Sequence, residues 1–200
     1  MTQTIVLATG NQGKVQEIGD ILAPFNLHIL PQSEFDVAEA DETGLTFVEN
    51  AIIKARNAAA HTGLPAIADD SGLEVDFLNG APGIYSSRFA GPDANSQDNV
   101  KKLLADLKDV PEAERTARFQ CLMVYLAHEH DPTPIICQGS WEGHILFDQR
   151  GNGGFGYDPI FYVPAHRCAA AELSKEVKNQ LSHRGQALRQ LAQALKNRQK

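Results

Sequence analysis

The chain has 200 residues and a formal charge of −7, from 25 acidic against 18 basic side chains. Its length suits one domain, or one domain with an inserted lobe, and 42% hydrophobic residues is ordinary for a soluble globular protein. A net acidic surface does not draw nucleic acid polymers or anionic membranes, so a polyanionic ligand would need locally gathered cations or a metal.

Ile5–Ala8 reads as a buried strand. A glycine-rich turn follows, Thr9-Gly10-Asn11-Gln12-Gly13-Lys14, and then Val15, Ile18, Ile21 and Leu22 recur at helical spacing up to Pro24. Leu27–Leu30 suggests a second strand, and the polar, acidic stretch 32–45 a loop. Thr46 and Glu49 have the spacing of a capping box, which predicts a helix running towards His61 and stopped by Gly63. Ala66-Ile67-Ala68 is a short apolar strand ending in Asp69-Asp70-Ser71-Gly72. Residues 79–95, rich in Gly, Pro, Ser and Asn, predict a loop, and Asn99–Leu107 a helix.

Arg118–Ala127 reads as a long strand, and Pro134–Gln138 and Trp141–Phe147 as two strands joined by tight turns, giving an antiparallel set. Gly151–Gly156 is a second glycine-rich loop, and from Ala169 to the end the pattern is helical, broken at Ser182-His183-Arg184-Gly185. The fold class expected is α/β: an elongated mixed sheet with helices on both faces and two lobes around a central substrate cleft, all within one domain over residues 1–200.

Five segments carry chemistry. Successive N–H groups in Thr9–Lys14 and the helix dipole behind them can cradle a phosphate, and Lys14 adds a full charge. The segment lacks the spacer and the Ser/Thr of a P-loop, and an ordinary helix-capping turn would have the same composition. Glu42-Thr43-Gly44 lies in an acidic cluster with Glu39 and Asp41, which is costly unless exposed or joined by a cation. Asn50 and Lys54 share one face of the following helix, as a solvated polar face also would.

Asp69 and Asp70, expected at a strand's carboxyl end, suit a hard cation or a general base, although Asp and Ser also favour plain turns. Phe155, flanked by glycines in Gly153-Gly154-Phe155-Gly156-Tyr157-Asp158-Pro159, can stack on a base or pack into the core. Lys178 and Ser182-His183-Arg184-Gly185 offer donors to an acceptor such as a purine 6-oxygen, or form a solvated basic turn. Taken together, the segments describe a nucleoside triphosphate site.

Three cysteines without C-x-x-C spacing disfavour a zinc site or disulfide framework. With no basic N-terminal region before a long apolar run, and no apolar stretch approaching ~20 residues, the expected location is the cytoplasm.

The ordered series Thr9-Gly10-Asn11-x-Gly13-Lys14, Glu42-Thr43-Gly44, Phe47-x-Glu49-Asn50-Ala51-x-x-Lys54-Ala55, Ala68–Leu73, Ala81–Ser86, Gly153–Pro159 and Ser182–Gly185 resembles the inosine triphosphate pyrophosphatase family in its bacterial form. The resemblance covers nearly the whole chain. It implies Mg²⁺-dependent hydrolysis of ITP, dITP and XTP to the monophosphate and pyrophosphate, by a homodimer. It further implies substrate contacts from Thr9, Gly10, Asn11, Gln12, Gly13, Lys14, Ser71, Phe155, Gly156, Tyr157, Asp158, Lys178, His183 and Arg184. Asp70 is implied as base and metal ligand, with Glu42 near the metal. On that pattern Glu42 and Asp70 hold the ion, Asp70 or Asp69 activates water, and Lys14, Lys54 and Lys178 offset phosphate charge. A pyrophosphatase for modified pyrimidine nucleotides and a non-catalytic nucleotide sensor are the competing readings.

Overall fold

Alternation within short apolar strands sets the frame of the computed structural model, which describes residues 4–25 and 27–198. β1 (Thr4–Leu7) is followed by α1 (Gln12–Leu22) and by β2 (His28–Pro31), which lies parallel to β1. α2 (Phe47–Thr62) leads into β3 (Ala66–Val75), also parallel to β1. α3 (Ser96–Asp106) precedes the long strands β4 (Thr116–Leu126) and β5 (Ile135–Ile145). Two short strands follow, β6 (Phe161–Val163), antiparallel to β5, and β7 (Cys168–Ala169), antiparallel to β6. α4 (Lys175–Leu181) and α5 (His183–Arg198) come last. The strand order is β2-β1-β3-β4-β5-β6-β7. Residues 199 and 200, assigned from sequence to the closing helix, lie outside the described residues. No helix among the described residues is long and apolar enough to cross a membrane.

The helix ends obey local chemistry. The Thr46 hydroxyl accepts from the Glu49 N–H, and Gly63 closes α2 in the left-handed region at φ 66°. Glu49 reaches back to the Leu45 N–H and the Thr46 hydroxyl, and the Thr46 N–H also faces its carboxylate, as the expected capping box requires. Asn95 and Asp98 form a complete capping box at α3.

Three segments differ from the sequence reading. β3 does not stop at Ala68 but runs through Asp69-Asp70-Ser71-Gly72, because burial continues through both aspartates to Leu73 and Val75. Gly139-Ser140 is not a turn: β5 passes straight through it, and Gly139 is where the strand meets the first turn of α5. His183-Arg184-Gly185 belong to α5, and only Ser182, in extended conformation, separates α4 from α5.

The chain divides into two compact units. The first contains the residues up to Asp70, Cys121–Gly139 and those from His183 onward; the second contains Ser71–Gln120 and Ser140–Ser182. In the first unit, Ile5, Leu7, Ile67, Cys121 and Met123 pack with Ile18 and Leu22 of α1 and with Leu188 and Leu191 of α5. The residues between them, Val6, Ala8, Ala66, Ala68 and Val124, pack instead with the alanines of α2. Strand period two thus feeds helices on both faces, as expected from sequence.

In the second unit, Phe119, Trp141 and Phe161 form an aromatic cluster with α3 residues Leu103 and, just beyond the helix, Leu107. Arg115, 1% exposed, donates to the carbonyls of Leu107, Ile145 and Leu146 from within that unit, and its guanidinium lies over the Phe147 ring. Those carbonyls lie at helix and strand ends, where backbone acceptors lack regular partners.

Candidate active site

Because β3 continues through the aspartate pair, the two side chains leave opposite faces of the sheet. Asp69 follows Ile67 onto the face covered by α1 and α5, where Lys14 Nζ lies 2.8 Å from Oδ2 and Arg184 Nη2 3.6 Å. Arg184, 2% exposed, is held in turn by Glu17 through Nη1 at 2.5 Å. Burial works to raise the Asp69 pKa, but the charges of Lys14, Arg184 and Lys54 outweigh it and hold the carboxyl well below the usual range. The adjacent Cys121 thiol is pushed up to about 12 by burial and then by the Asp69 charge.

The start of α1 explains how Lys14 is aimed. Thr9 Oγ1 accepts from the Asn11 N–H at 3.2 Å, and Asn11 Oδ1 accepts from the Lys14 N–H at 3.1 Å, capping the helix. Gly10, Asn11, Gln12 and Gly13 are exposed in this turn. The capping turn and the candidate phosphate cradle are therefore one structure, and Lys14 projects from it onto Asp69.

Asp70 follows Ala68 onto the α2 face. Its Oδ1 lies 2.9 Å from Lys54 Nζ, and the same ammonium lies 2.8 Å from Glu42 Oε1. Asn50, fully buried one turn before Lys54, contacts Asp70 Oδ2 at 3.5 Å and accepts from the Gly44 N–H at 2.8 Å. Burial raises the Asp70 pKa more than Lys54 lowers it, leaving a net upward shift. Burial pulls the Lys54 pKa down, but Asp70, Asp69 and Glu42 outweigh it and raise it.

Glu42 and Asp70, from separate stretches, thus meet about one positive charge. Oxygen donors of this kind fit Mg²⁺, which binds through one or two carboxylates and takes its remaining ligands from water and phosphate. Among the described residues no group of three or more His, Cys, Asp or Glu could hold an ion by itself. The Glu42–Asp70 pair therefore suits an ion that shares its ligands with a substrate.

The second unit holds the other candidate residues. The Phe155 ring is 38% exposed, so it is not a core aromatic, and Lys178 Nζ lies 5.0 Å from its centroid. Buried Asp158 accepts through Oδ2 from both the Phe155 N–H, at 2.8 Å, and Lys178 Nζ, at 2.6 Å. Gly154, at φ 72°, leaves room for that oxygen. Buried Tyr157 donates its hydroxyl to the Ser86 carbonyl at 2.8 Å, so its side chain braces the loop; burial raises its pKa. Ser86 Oγ in turn accepts from the Leu73 N–H. Half-buried Ser71 follows Asp70 in β3.

His183 is buried in the first turn of α5 within the first unit, and a Cβ on Gly139 would collide with its carbonyl oxygen. Sequence reasoning missed Glu17 and Gly139. Glu17 lies three residues after Lys14, on the same helical face, which is a signal that could have found it. Gly139 resembles any turn glycine in sequence, and only the approach of α5 reveals its purpose.

A model of the Ham1 family matches residues 5–194. The dITP/XTP pyrophosphatase of Vibrio parahaemolyticus is 66% identical over 187 residues, covering 94% of each chain. That of Escherichia coli O157:H7 is 60% identical over 195 residues, covering 98% of this chain and 99% of its own. Among solved structures, a HAM1 protein from Coxiella burnetii superposes with a TM-score of 0.91 at 51% identity, covering 98% of this chain and all of its own. The Staphylococcus aureus Ham1 protein gives 0.87 at 41% identity, with the same coverage.

Proposed function

The chain belongs to the Ham1 family, and on that premise we propose that it hydrolyses dITP, XTP and ITP to the nucleoside monophosphate and pyrophosphate. In doing so it removes deaminated purines from the nucleotide pool. The observation that carries this reading is the convergence of Glu42 and Asp70 on Lys54. The enzyme is a hydrolase of the α–β phosphoanhydride bond.

Glu42 and Asp70 would hold a divalent cation, which we take to be Mg²⁺; bound there, it would draw charge off the phosphoryl oxygens. Asp70 accepts the proton of the attacking water, whose oxygen bonds to the α-phosphorus as the bridging bond to the β-phosphate breaks. Asp69 is the poorer base, because its buried carboxylate is already committed to Lys14 and Arg184. Lys14, Lys54 and Lys178 offset the phosphate charge, each ammonium at 4 Å being worth roughly 4 kcal/mol at the effective dielectric of a protein surface. Thr9, Gly10, Asn11, Gln12 and Gly13 supply donors to the phosphates, with Ser71 beside Asp70.

Phe155 stacks on the purine, carried by the Gly156-Tyr157-Asp158 loop. His183 and Arg184 provide donors to the purine 6-oxygen; adenine, with a 6-amino group, would leave such donors unpaired. We further place the protein in the cytoplasm, in keeping with its three free cysteines, and assign it a homodimeric state that sedimentation equilibrium would test against the monomer mass.

Pyrophosphate release, measured by coupling to inorganic pyrophosphatase, tests the activity across dITP, XTP, ITP, dATP and dGTP with and without Mg²⁺. The deaminated purines should be cleaved and dATP spared. Equal rates on dATP and dITP would remove the selectivity, and release without any divalent cation would remove the role of the Glu42–Asp70 pair.

A further inference from the structure

We propose that Asn50 is a positioning residue for this reaction: its carboxamide fixes the Asp70 carboxylate and the Glu42 loop relative to each other. The inference rests on the roles assigned to Asp70 and Glu42 above.

Asn50 is fully buried on α2, one turn before Lys54. The two side chains divide the Asp70 carboxylate between them, Lys54 facing Oδ1 at 2.9 Å and Asn50 facing Oδ2 at 3.5 Å. They also divide the Glu42-Thr43-Gly44 stretch, Lys54 holding Glu42 Oε1 at 2.8 Å and Asn50 accepting from the Gly44 N–H at 2.8 Å. One turn of one helix thus ties a strand carboxylate to a loop carboxylate at four points.

Chemistry sets the direction of the amide. A backbone N–H can only donate, so the carboxamide oxygen faces Gly44 and the NH₂ group faces Asp70. The contact to Asp70 is long, as catalytic hydrogen bonds often are without substrate, and it acts on orientation more than on stability. Space is equally restricted: a Cβ on Gly44 would lie 2.7 Å from Asn50 Oδ1 and 2.6 Å from the Glu49 Cβ. Asparagine is matched to the position because it is short and presents one acceptor and one donor in opposite directions. Aspartate would keep the acceptor for Gly44, lose the donor to Asp70 and set a like charge beside it. Leucine would lose both.

The test uses the full chain. Wild-type protein must first release pyrophosphate from dITP; if it does not, the functional reading fails and the Asn50 assignment falls with it. Given an active wild type, Asn50→Asp should lower kcat about 10- to 100-fold, the scale of one hydrogen bond to a charged group, with KM for dITP changed by less than about threefold.

Amide hydrogen exchange on the metal-free protein gives a readout separate from turnover. Gly44 should stay protected in Asn50→Asp and lose protection in Asn50→Leu. Should Asn50→Leu fail to fold, Asn50→Asp carries both measurements. Asn50→Asp turning over at the wild-type kcat, or changing KM alone, would overturn the proposal. So would loss of Gly44 protection in Asn50→Asp, or its retention in a folded Asn50→Leu.

Discussion

Asp69 and Asp70 are neighbours in the chain, yet their carboxylates lie on opposite faces of β3 and answer to different helices. Asp69 is locked between Lys14 of α1 and Arg184 of α5, while Asp70 faces Asn50 and Lys54 of α2. The pleat of a single strand therefore sends two adjacent carboxylates into two separate ion networks across one peptide bond.

The two aspartates should respond oppositely to the same substitution. Asp69→Asn leaves Lys14 and Arg184 without their shared carboxylate and should destabilise the protein by about 3–5 kcal/mol, as breaking a buried pair does. Asp70 is more costly to ionise folded than unfolded, so Asp70→Asn should abolish turnover with the melting temperature unchanged or raised. Thermal unfolding and pyrophosphate release, measured side by side, check both. A larger loss of stability in Asp70→Asn than in Asp69→Asn would refute the assignment.

The same contrast predicts a pH dependence. The folded-state pKa of Asp69 is depressed, so its stabilisation is complete above the unfolded value of about 3.9 and is lost as pH falls below it. Asp70 has the reverse sign: its raised pKa opposes stability at neutral pH, and that opposition fades as the carboxyl is protonated on the way down. Urea denaturation at a series of pH values from about 7 to 3 should show a shallower acid slope in Asp69→Asn than in the wild type.

Two glycines should diverge on becoming alanine. A Cβ on Gly139 would collide with the His183 carbonyl oxygen and lie 3.0 Å from the Ala187 nitrogen, which are backbone atoms that cannot step aside. Gly139→Ala should cost about 1–3 kcal/mol and lower kcat/KM by moving His183. Gly19, within α1, has nothing within 4 Å of that position, so Gly19→Ala should stabilise by roughly 0.5–1 kcal/mol with unchanged kinetics. Chemical denaturation with steady-state kinetics separates the pair.

Asp158 should matter through what it holds. Its Oδ2 fixes both the Phe155 N–H and the Lys178 ammonium, so Asp158→Ala releases the exposed ring and the cation together. KM for dITP should rise by about tenfold or more, with a smaller change in kcat, if both partners act in binding as proposed. Steady-state kinetics on dITP gives the split.

Arg115 should be the converse, a residue of stability alone. Arg115→Met strands the carbonyls of Leu107, Ile145 and Leu146 in the interior. At about 1–3 kcal/mol for each unsatisfied buried group, several kcal/mol should disappear from the denaturation free energy. KM should not move.

Much of the frame was legible in the sequence because it follows from local rules. The β1–α1 unit, the Thr46 cap, the Gly63 stop and the continuous burial of Ile5–Ala8 each depend on residues within one or two turns. The errors arose where distant packing overrode a local signal. Asp69-Asp70-Ser71-Gly72 has turn chemistry, but Leu73 and Val75 hold it in the sheet; Gly139 reads as a turn, but it is a clearance for α5. At the site, residue types and order were readable, and the partners were not. Nothing in the sequence reveals that Lys14 and Lys54 serve different aspartates, or that Tyr157 turns its hydroxyl to Ser86.

The Arg184–Glu17 contact joins residues 167 positions apart and fastens the last helix to the first. A nascent chain emerging from the ribosome presents Glu17, Lys14 and Asp69 long before Arg184 exists to balance them. The apolar face that Leu188 and Leu191 will cover stays open for the same interval. The enzyme's first unit therefore reaches its final state only once α5 has been made, and a polypeptide that lacks α5 has both its charge network and its hydrophobic seam incomplete.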